Sequence, residues 1–88
     1  MPYRVIEVQS TPNPNAAKFV LDGSISEQPT SFFTAESARN HPLAKRLFAI
    51  PGVSGLLLLG DFITISKNAD GDWKKITKNA KEVLETWI

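Results

Sequence analysis

The chain has no cysteine, one histidine, and no apolar stretch of membrane-spanning length, and its basic and acidic residues nearly balance. Each shortage removes a class of function. Without cysteine there is no disulfide and no thiolate metal site, so a small secreted disulfide scaffold does not fit. A single histidine, His41, leaves no base-and-orienter pair for a nucleophile, and it stands directly before Pro42 at a helix start, where a capping role suits it. Ten Lys and Arg against nine Asp and Glu give a net charge of +1, without the basic excess usual for a nucleic-acid binder. The longest apolar run, Leu56 to Leu59 with its flanks, falls far short of the roughly 20 residues that span a bilayer, and the charged start Tyr3-Arg4-Val5-Ile6-Glu7 breaks any signal-peptide core. The expectations are no membrane, no nucleic acid, no catalysis and a cytoplasmic location.

What is present is the composition of a globular protein, with 42% apolar and 22% charged residues in a chain of 88. That length suits a single domain, residues 1–88, with a thin core and little room for a deep cavity. Tyr3 to Gln9 and Lys18 to Leu21 read as strands around the turn-forming Ser10-Thr11-Pro12-Asn13-Pro14-Asn15. Ser24 to Ala38 mixes Ser, Thr, Pro and Phe without a period and reads as irregular, pinned to the core by Phe32 and Phe33. From Pro42 a helical stripe of Leu43, Leu47 and Ile50 begins, capped by Asn40 or His41 and stopped by Pro51-Gly52. Val53 to Leu59 and Phe62 to Lys67 flank Gly60-Asp61 as a hairpin. A last helix, started by Asp72, carries Trp73, Ile76, Ala80, Val83, Leu84 and Trp87 on one face. The order β-β-α-β-β-α predicts an α+β two-layer sandwich, an antiparallel sheet with two helices on one face.

Candidate chemistry is sparse. Asn68, Asp70 and Asp72 have the opening spacing of an EF-hand loop, but Trp73 occupies the place of its glycine and Asn79 that of its bidentate Glu. The glycines are dispersed beside turns and form no phosphate cradle, and Asp22, Asp61, Asp70 and Asp72 sit in turns open to water. Lys74, Lys78 and Lys81 interleave with Glu82 and Glu85 as a solvated helix face. Arg39, His41, Lys45 and Arg46 gather within eight residues with no acid among them, which is either ordinary surface charge or a patch for an acidic or phosphorylated partner. Leu56 to Leu59 puts apolar residues on both faces of one strand, so either the 24–38 segment or a partner covers the side without helices. Thr11-Pro12-Asn13-Pro14-Asn15 is a rigid loop presenting two amides, serving either the fold or recognition.

Four of these stretches also carry a resemblance: Thr11 to Phe19, His41-Pro42-Leu43-Ala44 with Leu47-Phe48, Ile50-Pro51-Gly52-Val53, and Asp61 to Lys67. In order and with similar gaps they resemble the N-terminal domain of Nfu-type iron–sulfur proteins, over almost the whole chain. The resemblance implies a small α+β domain that accompanies, in longer members, a second domain whose Cys-x-x-Cys pair holds the cluster. These 88 residues contain no such pair, so the cluster-ligating role does not carry over. What it implies here is an accessory role in cluster assembly or delivery, acting in trans on scaffold, carrier or client proteins, with any iron–sulfur cluster on the partner. By position the motif residues are Thr11, Asn13, Asn15, Lys18, Phe19, Asp61 and Phe62. Partner contacts are therefore expected from Thr11, Asn13, Asn15 and Lys18 and from Arg39, His41, Lys45 and Arg46. Iron binding through carboxylates alone would be weak and non-stoichiometric. A general acidic- or phospho-peptide module unrelated to clusters is the alternative.

Overall fold

Alternation of apolar and polar side chains sets the sheet, and helical stripes set the layer above it. A computed structural model describes residues 3–86. Strands β1 (Val5–Ser10), β2 (Ala16–Leu21) and β3 (Ser26–Phe32) precede helix α1 (Pro42–Phe48). Strands β4 (Val53–Gly60) and β5 (Phe62–Lys67) and helix α2 (Trp73–Glu85) follow. One antiparallel sheet runs in the order β1-β2-β5-β4-β3, with both helices on one side. The α+β class and the two-layer arrangement agree with the pattern of the sequence.

The element order gains a strand, becoming β-β-β-α-β-β-α, because the stretch expected to be irregular contains β3. Its sequence, Ser26-Glu27-Gln28-Pro29-Thr30-Ser31-Phe32, hides the strand for three physical reasons. Proline is tolerated because β3 is an edge strand, paired among the described residues only with β4. The register slips between Ser26 and Thr30, where the Ser26 and Thr30 hydroxyls both donate to Gln28 O, so the period-2 alternation is broken. Only Phe32 is buried; Phe33, expected to pin the segment beside it, is 78% exposed.

The helix-facing side of the sheet reads across the register as Leu21, Phe19 and Ala17 on β2, Ile63 and Ile65 on β5, Leu58 and Leu56 on β4, and Phe32 on β3, all buried. Leu43, Ala44 and Leu47 of α1 and Ile76, Ala80 and Leu84 of α2 close the core from above. Each Leu, Ile or Phe side chain among these contributes roughly 1.5–3 kcal/mol by leaving water. Trp73 and Val83 pack on its margin as expected of the α2 stripe, while Trp87 lies outside the described residues.

Caps and turns fix the connections. His41, rather than Asn40, caps α1: its Nδ1 accepts from Ala44 N–H at 3.2 Å, and Pro42 enters at the first helical position. Asp72 caps α2 by accepting from Lys74 N–H at 2.9 Å. In the β4–β5 hairpin Leu59 pairs with Phe62, and Gly60 takes φ +58° as the first residue of the two-residue turn, a position that favours glycine. Gly52, at φ +97°, brings the α1–β4 turn against the β5–α2 loop, where its carbonyl accepts from Asn68 N–H at 2.8 Å.

Candidate functional site

The loop between β1 and β2 is shaped in part by its own side chains. Prolines at 12 and 14 remove two backbone donors, and Thr11 and Asn13 supply partners to several of the polar groups that remain. The Thr11 hydroxyl lies 2.9 Å from Asn13 O and 3.0 Å from Ala16 O as donor, and accepts from Asn13 N–H at 3.2 Å. Asn13 Oδ1 accepts from Asn15 N–H at 2.9 Å, and Asn13 O accepts from Ala16 N–H at 3.0 Å, closing an Asx-type turn.

Two longer-range contacts then bolt the loop to the rest of the domain. Lys67, at the end of β5, donates its Nζ to Asn15 Oδ1 at 3.1 Å and its backbone N–H to Asn15 O at 2.8 Å. The Trp73 indole, at the start of α2, donates to Pro14 O at 3.0 Å, and Lys67 Nζ lies 5.8 Å from the centre of the Trp73 ring. Of the two roles open for this loop, the side chains of Thr11, Asn13 and Asn15 are occupied with the first, holding the fold. Lys67 and Trp73 were not singled out for this loop by the sequence, since they lie 52 and 59 residues from their partners and no spacing connects them.

The side of the sheet away from the helices is open. Val20, Leu57, Leu59 and Phe62 lie across it in register and are only half-buried, whereas their neighbours Phe19, Leu58 and Ile63 are at 0% exposure. The segment 24–38, one of the two covers anticipated for these residues, extends the sheet edge as β3 instead of folding over it. Lys18 stands on this open face with its Nζ 4.3 Å from the centre of the Phe62 ring, a cation–π contact that shields part of the aromatic surface.

Arg39, His41, Lys45 and Arg46 lie at the opposite edge of the sheet from the β1–β2 loop, around the start of α1 next to β3. Arg39 is exposed in the turn before the helix, where its N–H donates to Glu36 O at 3.2 Å. His41 is half-buried, used as the cap, and packs edge-on against Phe32 with ring centres 5.4 Å apart. Lys45 and Arg46 are exposed in the last turn of α1, favourably placed toward its negative end, and Arg46 borders a shallow cleft with Glu82 of α2 and Thr86 just after it. The eight expected contact residues therefore fall in three separate places: the loop, the open face and the far edge.

Ligand-donating groups are equally dispersed. No cluster of three or more His, Asp or Glu suited to a metal ion occurs among the described residues. Asp72 is committed to capping α2, and Asp70 lies exposed in the loop before it. With no cysteine in its 88 residues the chain offers none of the thiolates that hold iron–sulfur clusters, so its donor set does not fit a cluster of its own. No helix of the described residues is long and apolar enough to cross a membrane.

A family model described as scaffold protein Nfu/NifU N terminal matches residues 6–88. The chain belongs to this family. Relatives include the human protein named NFU1 iron-sulfur cluster scaffold homolog, mitochondrial, 42% identical over 73 residues that make up 81% of this chain and 29% of that protein. A NifU-like protein of Schizosaccharomyces pombe is 37% identical over 83 residues, 90% of this chain and 32% of its own length. This Nfu/NifU N-terminal domain thus spans less than a third of the relatives it matches. Among solved structures, a NifU-like protein from Saccharomyces cerevisiae superposes with TM-score 0.76 at 29% identity, over 93% of this chain and 77% of the other. Protein SAV1430 from Staphylococcus aureus, at TM-score 0.78 and 20% identity over 93% and 99% of the two chains, shares the fold.

Proposed function

We propose that this Nfu/NifU N-terminal domain is an accessory protein-binding unit of iron–sulfur cluster assembly or delivery, which meets scaffold, carrier or client proteins while the cluster stays on the partner. One observation carries the reading: a family whose members are named cluster scaffolds is matched from residue 6 to 88 by a sequence that contains no thiolate. A chain that lacks the ligands for a cluster contributes to its handling through surfaces, and the half-buried apolar residues of the open sheet face are a surface of that kind.

The test is affinity capture with the immobilised domain, followed by identification of the retained proteins. Enrichment of assembly factors or iron–sulfur clients is expected; a retained set with neither overturns the reading. In parallel, anaerobic titration with Fe(II) is expected to give no stoichiometric uptake, and one tight equivalent per chain would refute the placing of the metal on the partner. The alternative, a phospho- or acidic-peptide module working through Arg39 and Lys45, is less supported, because His41 spends its Nδ1 on the helix cap and is not free to bind a ligand through that atom. Salt-sensitive phosphopeptide binding abolished by Arg39→Glu and Lys45→Glu would establish it.

A further inference from the structure

Strand β1 is the first of the sheet and, among the described residues, pairs only with β2. Every second residue of such an edge turns its N–H and C=O outward, a template for another strand. The opposite edge, β3, is blunted by Pro29 and a slipped register. β1 has one irregularity, between Val5 and Glu7, after which Glu7, Val8, Gln9 and Ser10 pair in regular succession with Val20, Phe19, Lys18 and Ala17, without a proline.

Beside this regular half lies a groove. Tyr3 N–H donates to Leu84 O at 2.8 Å and the Trp73 indole donates to Pro14 O at 3.0 Å, so α2 runs alongside β1 and opposite to it in direction. Between them Val8, Ala17, Trp73 and Thr77 border an apolar hollow of about 360 Å³. Val8 sits opposite the fully buried Phe19 and so faces the helical layer, yet it is 38% exposed. The core-facing side of the edge is incompletely covered. Along the α2 wall Lys74, Lys78 and Lys81 border an adjoining surface that shares Trp73 and Thr77, and no acidic residue among those described lines either hollow.

We propose that the β1 edge and the α2 wall form a docking groove for an extended, net-negative segment of a partner protein, added as a sixth strand beside β1. Backbone pairing supplies the register, an apolar side chain fills the hollow over Val8 and Trp73, and carboxylates two residues to either side meet the lysines. The charge of the wall selects the occupant: an unpaired edge accepts any strand, but three lysines bordering a surface that Glu82 and Glu85 do not line favour an acidic one. This groove is independent of the cluster reading, since its test involves no assembly protein and the capture experiment reads no groove.

The probe is the capped heptapeptide Thr-Glu-Thr-Val-Thr-Glu-Thr, which in a strand places Glu, Val and Glu on one face, titrated into the isotopically labelled domain by NMR. Expected are shifts at Val8, Ser10, Ala17, Thr77 and the Trp73 indole, and an affinity that falls as salt is added. The exposed double variant Lys74→Glu/Lys78→Glu is expected to bind about tenfold more weakly, with its own spectrum otherwise unchanged. A peptide N-methylated at alternate residues, unable to pair along one edge, is expected not to bind. The proposal is overturned by an absence of shifts at millimolar peptide, by shifts centred on Lys18, Leu57 and Phe62 or on Arg39 and Lys45, or by undiminished binding of the N-methylated peptide.

Discussion

Leu57 and Leu58 are adjacent in β4 and point to opposite faces, so cutting each to alanine puts the same change on two sides of one sheet. Leu58 is at 0% exposure, across from Ile63 and under the helices. Its truncation loses the transfer energy of three carbons and leaves a cavity in a packed core, about 2.7–5 kcal/mol. For 88 residues the whole stability is of the order of 4–13 kcal/mol, so this one change removes a large share of it. Leu57 is half-buried on the open face, where water occupies the vacated space and no cavity remains. Only the transfer of its covered part is lost, about 1 kcal/mol.

With a urea dependence of about 1 kcal/mol per molar for a domain of this size, Leu58→Ala should lower the unfolding midpoint by about 3 M or more and Leu57→Ala by about 1 M. Tryptophan emission follows the transition, because Trp73 packs on the core margin. Equal costs for the two variants would refute the reasoning, since they require Leu57 to be enclosed as completely as Leu58. A midpoint for the parent protein that rises with concentration would further identify the enclosing surface as a second copy of the chain.

Three further outcomes follow from single contacts. Gly52→Ala places a Cβ 3.3 Å from both Gly71 Cα and Ile76 Cδ1 on a backbone at φ +97°, and should cost about 1–3 kcal/mol in thermal unfolding; Gly23→Ala, with nothing within 4 Å, is the near-neutral comparison. His41→Ala removes the α1 cap and the ring contact to Phe32, and should cost about 0.5–2 kcal/mol, with partial recovery in His41→Asn, which can still accept from Ala44 N–H. Trp73→Phe deletes the donor to Pro14 O, and should raise amide exchange at Asn15 and Ala16 with a stability loss of about 1 kcal/mol; unchanged exchange would mean that the loop holds itself without the indole.

Local chemistry made most of the fold legible. Pro42 with Leu43 and Leu47, Gly60-Asp61 between two apolar runs, and Asp72 ahead of an amphipathic stretch each specify an element within a few residues of themselves. Strand β3 was not legible because an edge strand needs only one covered face and can carry proline, and its single buried anchor, Phe32, is followed by an exposed phenylalanine that mimics a second. The two-sided leucines of β4 signalled that the second face mattered but not whether the chain would cover it, since that depends on where residues 24–38 go. Lys67 and Trp73 became parts of the loop clamp through contacts across more than 50 residues, which only the assembled sheet brings together.

The β1–β2 loop acquires its meaning from that clamp. Thr11, Asn13 and Asn15 spend their side chains on the turn and on Lys67, which leaves them little to offer a partner directly. Yet Pro14, held by the Trp73 indole, fixes the first turn of α2 against the end of β1, and Thr11, Asn13 and Pro14 themselves line the hollow beside Val8. A loop selected only to join two strands would not need a tryptophan from α2 to anchor it; a turn of the Asn-Gly type does that in two residues. The longer, proline-stiffened loop instead sets the separation between β1 and α2, and that separation decides whether Val8 is sealed or open. Loosening the clamp should therefore alter the groove before it alters the core: Asn15→Ala, which removes one of the two acceptors of Lys67 Nζ and leaves it Asn68 O, without touching a buried side chain, is expected to shift the Val8 and Thr77 resonances while leaving those of Leu58 and Ile63 in place.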